Sequence, residues 1–247
     1  MKSKILKAII YSLAIIIAAA LLGNAYKSRV KTPNTITVKG KADKEIHSDI
    51  ARWNLMFNVT HPNLKEAYKK TQANTDIVFN YLKSNGLDDN EIRISGIDIN
   101  KTYETVRIPL GNNDYEYKNQ FTGYRLKRNF FIETNKLDTI NILVSEISNL
   151  IAQDIEITSQ TPEYYYSKLD SVKHELIEKA SEDAIERAKK IAKSNNQKIG
   201  KIKSAYIAPF QVTGLYSNED YTWGGVLNTS DIIKICTVTV TMEVEIK

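Results

Sequence analysis

Cysteine is nearly absent from this chain: Cys236 is the only one in 247 residues. A single thiol makes no internal disulfide and no thiolate metal cluster, and in an oxidising compartment it is best kept buried. Histidine is almost as scarce, with three. His47 and Asp49 can share a strand face and make half a metal site, but no further His or Cys is placed to complete it. His61 precedes Pro62 in a turn, and His174 lies on a charged helix face between Lys173 and Glu175. Neither has a neighbouring serine or cysteine that would suggest a nucleophile and its base. Glycine-rich phosphate loops are lacking. Asp88-Asp89-Asn90-Glu91 has neither the glycine nor the ligand spacing of a calcium loop and reads as a turn. The sequence therefore defines no catalytic residue, no cofactor site and no metal site, and a non-enzymatic protein is expected. Clustered positive charge is missing too. The formal net charge is +5, but Lys2, Lys4 and Lys7 stand in an N-terminal segment without acids, and the remaining charge is dispersed. Dispersed charge is no nucleic-acid footprint, so no nucleic-acid partner is expected.

What is present first is an uncharged apolar run, residues 8–22, which includes Ala8, Ile10, Leu13, Ile16, Leu21 and Leu22. Three lysines precede it, and Gly23-Asn24-Ala25, with the small residues of a signal-peptidase site, follows. Fifteen residues at about 1.5 Å each reach roughly 22 Å, short of a hydrocarbon core of about 30 Å. Counted from Ile5 to Ala25, with Lys7 snorkelling, the segment is just long enough. Two readings stand: residues 1–25 are an uncleaved membrane anchor, or a signal cleaved after Ala25. Either places the rest of the chain outside the cytoplasm, in the cell envelope or secreted. Residues 26–34, with Pro33, read as a tether, and residues 35–247 as a single domain.

Within that domain, "TITVKG" and "IARWNLMFNVT" read as strands. In the second, Ala51, Trp53, Leu55, Phe57 and Val59 share one face and Arg52, Asn54 and Asn58 the other, the pattern of a sheet with one buried side. Asn63 then caps a helix whose inner side carries Leu64, Ala67, Tyr68, Val78, Tyr81 and Leu82, and Asn85-Gly86 ends it. In "EIRISGIDINKTYE" the apolar phase slips by one residue at Gly96, which predicts a β-bulge. A strand follows with Tyr124, Leu126, Phe130 and Ile132 in phase, then a helix with Leu137, Ile140, Val144, Ile147 and Ile151. A short strand lies near Ile155 and Ile157. Thr161-Pro162-Glu163 predicts the start of the longest helix, running to about Lys193. The C-terminal "ICTVTVTMEVEI" alternates Cys236, Val238, Val240, Met242, Val244 and Ile246 with polar residues, an unambiguous strand. The order ββαββαβαββ predicts an α+β fold, an antiparallel or mixed sheet with helices packed on one side, preceded by the N-terminal hydrophobic helix.

This order resembles the SIMPL-domain family from about Thr35 to Lys247. Gly40 and Asp49-Ile50-Ala51 stand at the front, and Asn74, Leu82 and Gly86 in the first helix. "EIRISGIDINKTY", Phe121-Thr122-Gly123-Tyr124-Arg125, the long helix ending at Ile199-Gly200 and the last alternating strand complete it. The chain departs from the family pattern at Gly40-Lys41-Ala42, at Ser48-Asp49 and around Gln153-Asp154, where turn geometry is in question. The resemblance implies an exported or envelope-anchored protein with no established enzymatic activity. It also implies the ring-like oligomers that members form, and links to stress tolerance or to binding signalling proteins.

Three segments are candidates for contact with a partner. Ala180, Ala184, Ala188 and Ala192 recur every four residues, a smooth stripe that packs on the domain's own sheet or against a second subunit. The segment from Phe210 to Asp231 is long for a connection and rich in aromatics. Tyr216, Tyr221 and Trp223 are its expected contact residues, covering the domain's own core or meeting a subunit or ligand. The insertion from Arg107 to Asn119 reads as a hairpin tip with Tyr115 and Tyr117. The expected partners are a membrane through the N-terminal segment, further copies of the chain, and alternatively an envelope protein or a small ligand.

Overall fold

The computed structural model describes residues 12–23, 34–111 and 114–247. Ala8, Ile10, the junction after Ala25 and residues 26–33 of the expected tether lie outside the described residues. Helix α1 (residues 12–23) leaves Leu13, Ile16, Leu21 and Leu22 exposed. Among the described residues no helix is long and apolar enough to cross a membrane.

The remaining chain is α+β and divides into two compact units. The larger comprises Asp43–Leu176 and Pro209–Val238, the smaller the residues up to Ala42 with Ile177–Ala208 and Thr239–Lys247. Neither is a continuous stretch that a boundary in the sequence could mark.

The larger unit is built around β2 (Ile50–His61). The face read from its alternation is the buried one: Ala51, Trp53, Leu55, Phe57 and Val59 are all buried. On one side β2 pairs antiparallel with β5 (Asp114–Thr134), from Ala51 opposite Thr134 to His61 opposite Tyr124. On the other it pairs with β6 (Ile157–Ser159) and β7 (Glu163–Tyr165). The outer side of β5 receives β3 (Ile92–Ile94) and β4 (Asp98–Gly111). Helices α2 (Leu64–Ser84) and α3 (Leu137–Glu146) cover the apolar face, with Val78, Leu82, Ile140 and Leu143 packed into the cluster formed by Trp53, Phe57 and Phe130. Trp53 is buried because its indole N–H is satisfied, donating to Ser159 Oγ and the Gln160 carbonyl at 3.0 Å each.

Local signals hold where they act locally. The Asn63 side chain accepts from the Lys65 and Glu66 amides and starts α2, and Gly86, with φ +99°, ends it. The phase slip at Gly96 is real: Ile94 stands opposite Phe130 and Asp98 opposite Lys127, four residues against three. Gly96 and Ile97 thus take the place of one residue, which is the count of a bulge. After α3 the chain tightens into a 3-10 helix, Ile147–Gln153, which leaves Ile151 exposed rather than inward. Asp154 closes that turn with φ +59°, a left-handed position that an Asp tolerates without a glycine.

The longest helix departs from the reading. Glu163–Tyr165 is strand β7, bonded to the edge of β2, and α4 runs Leu169–Ser194. Tyr164-Tyr165-Tyr166 favours a pleated edge, and a free edge on β2 outweighs the helix-start signal of Pro162. The expected inward side of α2 is also narrower than its spacing suggests: Leu64 and Tyr68 are exposed.

In the smaller unit, the first part of β1 (Thr35–His47), the second half of α4, β8 (Ile199–Ile207) and the last part of β11 (Ile233–Ile246) assemble. β8 pairs antiparallel with β11 from Ile207 opposite Val240, and Thr35 Oγ1 donates to Glu243 at 2.8 Å. Val240, Met242 and Val244 are buried as the alternation requires.

Candidate functional site

The alanine stripe belongs to that smaller unit and is consumed within it. Ala180, Ala184, Ala188 and Ala192 are all buried. The helix backbone lies directly on β1 at Gly40, where an added Cβ would stand 2.0 Å from the Ala180 carbonyl oxygen and 2.4 Å from the Ala184 nitrogen. The stripe is therefore smooth because a strand presses on it, and it presents no surface to a second subunit.

The largest exposed apolar surface is the β4–β5 ribbon of the larger unit. The two strands pair from Asp98 opposite Lys127 to Gly111 opposite Asp114, far beyond the hairpin tip read from the sequence. Pairing between β2 and β5 stops at Tyr124, so beyond Thr102 and Gly123 the ribbon has two unpaired edges and stands as an arm. Tyr103, Thr105, Arg107 and Pro109 of β4 stand opposite Phe121, Asn119, Tyr117 and Tyr115 of β5 and share one face. Glu104, Val106, Ile108 and Leu110 line the other, with Glu116 opposite Ile108. Tyr103, Val106, Ile108, Leu110, Tyr117 and Phe121 are all exposed. Isolated two-stranded ribbons are marginal in water, and apolar side chains on both faces without a covering layer mark an interaction surface. Local contacts stiffen it: Arg107 sits over the Tyr115 ring at 3.2 Å, and Thr105 bonds Asn119 at 2.9 Å.

Where the arm joins the body, a groove of about 680 Å3 is lined by Leu64, Lys65 and Tyr68 of α2 and by Ile99, Phe121 and Tyr124 of the ribbon, with Pro62 and Asn63 at one end. Its rings form an edge-to-face ladder, Tyr103 to Phe121 at 5.9 Å and Phe121 to Tyr124 at 5.2 Å. The chain reaches this geometry through Gly123, where a Cβ would lie 2.7 Å from the His61 carbonyl oxygen.

The aromatic segment is ordered, contains strands β9 (Gln211–Gly214) and β10 (Val226–Leu227), and is tied down by a polar hub. Glu219 accepts from the Gly214 amide at 2.9 Å, the Ser217 hydroxyl at 3.1 Å and the Asn228 side-chain amide at 2.7 Å. Asn228 also donates to Asp231 at 2.9 Å and accepts from the Ser230 and Asp231 amides. Gln211 spans the loop, donating to the Pro209 and Thr222 carbonyls. On this scaffold Tyr216 and Trp223 are 93% and 95% exposed, and Tyr221 is exposed with its hydroxyl 3.5 Å from Thr237. They do not cover the core. The Gly214 amide and the Asn228 side chain hold the Glu219 carboxyl below its ordinary 4.5. A carboxylate depressed on folding contributes stability that is complete above its unfolded value and disappears as pH falls through the folded one. Amide exchange across residues 215–231 is therefore expected to accelerate selectively as pH drops below 4.5, and Glu219→Gln is expected to remove that pH dependence.

Sequence reasoning missed Lys234. It occupies a core position in phase with Cys236, is 2% exposed, and donates its ammonium to the Tyr164 carbonyl. Desolvation pushes its pKa down, partly countered by the Asp231 and Glu219 carboxylates. The signal was legible: the alternation of β11 extends one step further back than its apolar residues. Cys236 is buried, and its thiol pKa is raised by burial, so it is not primed for reaction.

The titratable candidates disperse. Asp49 accepts from the Ser167 amide and hydroxyl, and His47 contacts Glu45 at 3.0 Å. His61 bonds within its own turn, and His174 is exposed on α4. Asp88, Asp89 and Glu91 form a capped 3-10 turn engaged by Lys136 and Lys83. Among the described residues no group of three His, Cys, Asp or Glu is placed to hold a metal.

A family model described as SIMPL, a protein of unknown function (DUF541), matches residues 36–246. No curated protein matches the chain significantly. The matched span takes in every strand and every helix after α1, so this chain belongs to the SIMPL family.

Proposed function

We propose that this SIMPL protein is a non-enzymatic, membrane-tethered assembly protein of the cell envelope, whose extracytoplasmic domain self-associates through the β4–β5 arm. The arm carries the reading: a ribbon that displays Val106, Ile108 and Leu110 on one face and Tyr103, Tyr117 and Phe121 on the other has apolar surface to bury and nothing in its own chain covering it. The tether reading rests on the apolar run of residues 8–22 behind three lysines. Stress tolerance of the envelope is the role this reading favours, through the family resemblance.

The test is the full chain extracted from membranes in a mild detergent. Its intact mass is expected to begin at Met1, and light scattering is expected to give a discrete multiple of the 28.1 kDa chain. A soluble product beginning at Tyr26 would replace the anchor by a cleaved signal, and a monomer would overturn assembly.

A second reading, a binding module for an envelope protein, is favoured by Tyr216 and Trp223. Rigid aromatics held out on a bonded loop lose little conformational entropy on contact and are the residue types enriched in binding hot spots.

A further inference from the structure

We propose that the end of the arm of one chain seats in the groove at the base of the arm of the next, so that the protein assembles head to tail. This rests on the assembly reading and specifies its interface. The donor is the face carrying Ile108 and Leu110, with Glu116 opposite Ile108 and Leu110 62% exposed. The acceptor is the groove of Leu64, Tyr68, Ile99, Phe121 and Tyr124. Both surfaces are apolar, and their charges are complementary: Glu116 on the donor, Lys65 in the groove lining and Lys101 beside it, opposite Tyr124. An apolar contact fenced by opposite charges fixes orientation as well as affinity.

Donor and acceptor cannot satisfy each other within one chain. Seven residues of paired ribbon separate Leu110 from Tyr103, which stands opposite the groove residue Phe121. At about 3.4 Å per residue this is roughly 24 Å, and the antiparallel ladder keeps the two ends apart. The faces rather than the edges of the arm are the mating surfaces. Pro109 has no N–H to offer along the β4 edge, and Glu104, Glu116 and Lys118 place charges along the ribbon, both devices that discourage strand addition. Two different patches that mate between copies make a heterologous contact. Repetition of such a contact closes into a ring or grows as a filament, and does not stop at a two-fold dimer.

The experiment mixes two variants of the full chain in detergent. Leu110→Lys spoils the donor and leaves the groove; Ile99→Glu spoils the groove and leaves the donor. Each alone is expected to be a monomer of 28.1 kDa. Their equimolar mixture is expected to give a 1:1 dimer that grows no further, since only one intact donor and one intact groove meet. Monomers that stay apart on mixing would mean arm-on-arm pairing and overturn the head-to-tail contact. Variants that each keep the wild-type assembly would overturn it too while leaving the assembly reading in place; a monomeric wild type would overturn both. Both positions are exposed, so wild-type thermal melting is expected, and Leu110→Ser with Ile99→Ser provides the same mixture at lower perturbation.

Discussion

Gly40→Ala is expected to be among the most damaging single substitutions in the chain, lowering stability by about 3 kcal/mol, the upper end of the usual cost of overpacking. The added methyl carbon would stand 2.0 Å from the Ala180 carbonyl oxygen, 2.4 Å from the Ala184 nitrogen and 2.9 Å from its Cα. All three are backbone atoms, so no rotamer change relieves the clash. Either α4 lifts off β1 along the buried alanines or the strand bends away, and both forfeit close packing. At about 2–4 °C per kcal/mol for a protein of this size, the melting temperature falls by roughly 6–12 °C. Gly96→Ala is the matched control: nothing lies within 4 Å of its added Cβ, and a change within about 0.5 kcal/mol is expected. Equal melting of the two variants would show that α4 does not rest on Gly40. Ala184→Leu acts on the same contact and so reads packing, not subunit assembly.

Lys234→Ala is expected to cost about 2–5 kcal/mol, the range for truncating a long side chain in a core, because it opens a cavity and deprives the buried Tyr164 carbonyl of its donor. Lys234→Met separates the two effects. It refills most of the volume and removes the charge, and exchanging a buried charge for an apolar group of similar size is often neutral or stabilising. The pH dependence identifies the charge. Burial lowers the lysine's pKa from its ordinary 10.5. Between the lowered value and 10.5 the unfolded chain binds more protons than the folded one, so wild-type stability rises with pH across that window. The methionine variant lacks this slope. It is therefore expected to compare most favourably with wild type below the window and to lose ground as pH rises towards 10.5. Parallel curves for the two proteins in denaturant titrations would show that Lys234 does not titrate on unfolding.

Several features were written into local pattern. The buried face of β2, the alternation of β11, the Asn63 cap, the Gly86 stop and the one-residue slip at Gly96 all survive in the structure. Each is a short-range matter: a period of two decides which side chains share a face, and a cap acts on amides two or three residues away. The scarcity of Cys and His likewise bounded the chemistry before any fold was known. The contact candidates were legible only as composition. Aromatics marked Tyr216, Tyr221 and Trp223, but whether they turn inward depended on a hub drawn from Gly214, Glu219, Asn228 and Asp231.

What the sequence by itself determined was where apolar surface exists; what only the tertiary structure decided was what covers it. The four alanines are spent against Gly40, while Leu64, Tyr68 and the ribbon of Val106, Ile108 and Leu110 are left open. The same distance dependence turned Glu163–Tyr165 into a strand, because a free edge on β2, more than a hundred residues earlier, satisfied its backbone. It also set Lys234 against the carbonyl of Tyr164, 70 residues away in the chain. Periodicity is a property of neighbours along the chain, whereas burial is a property of neighbours in space, and only folding brings the second set together.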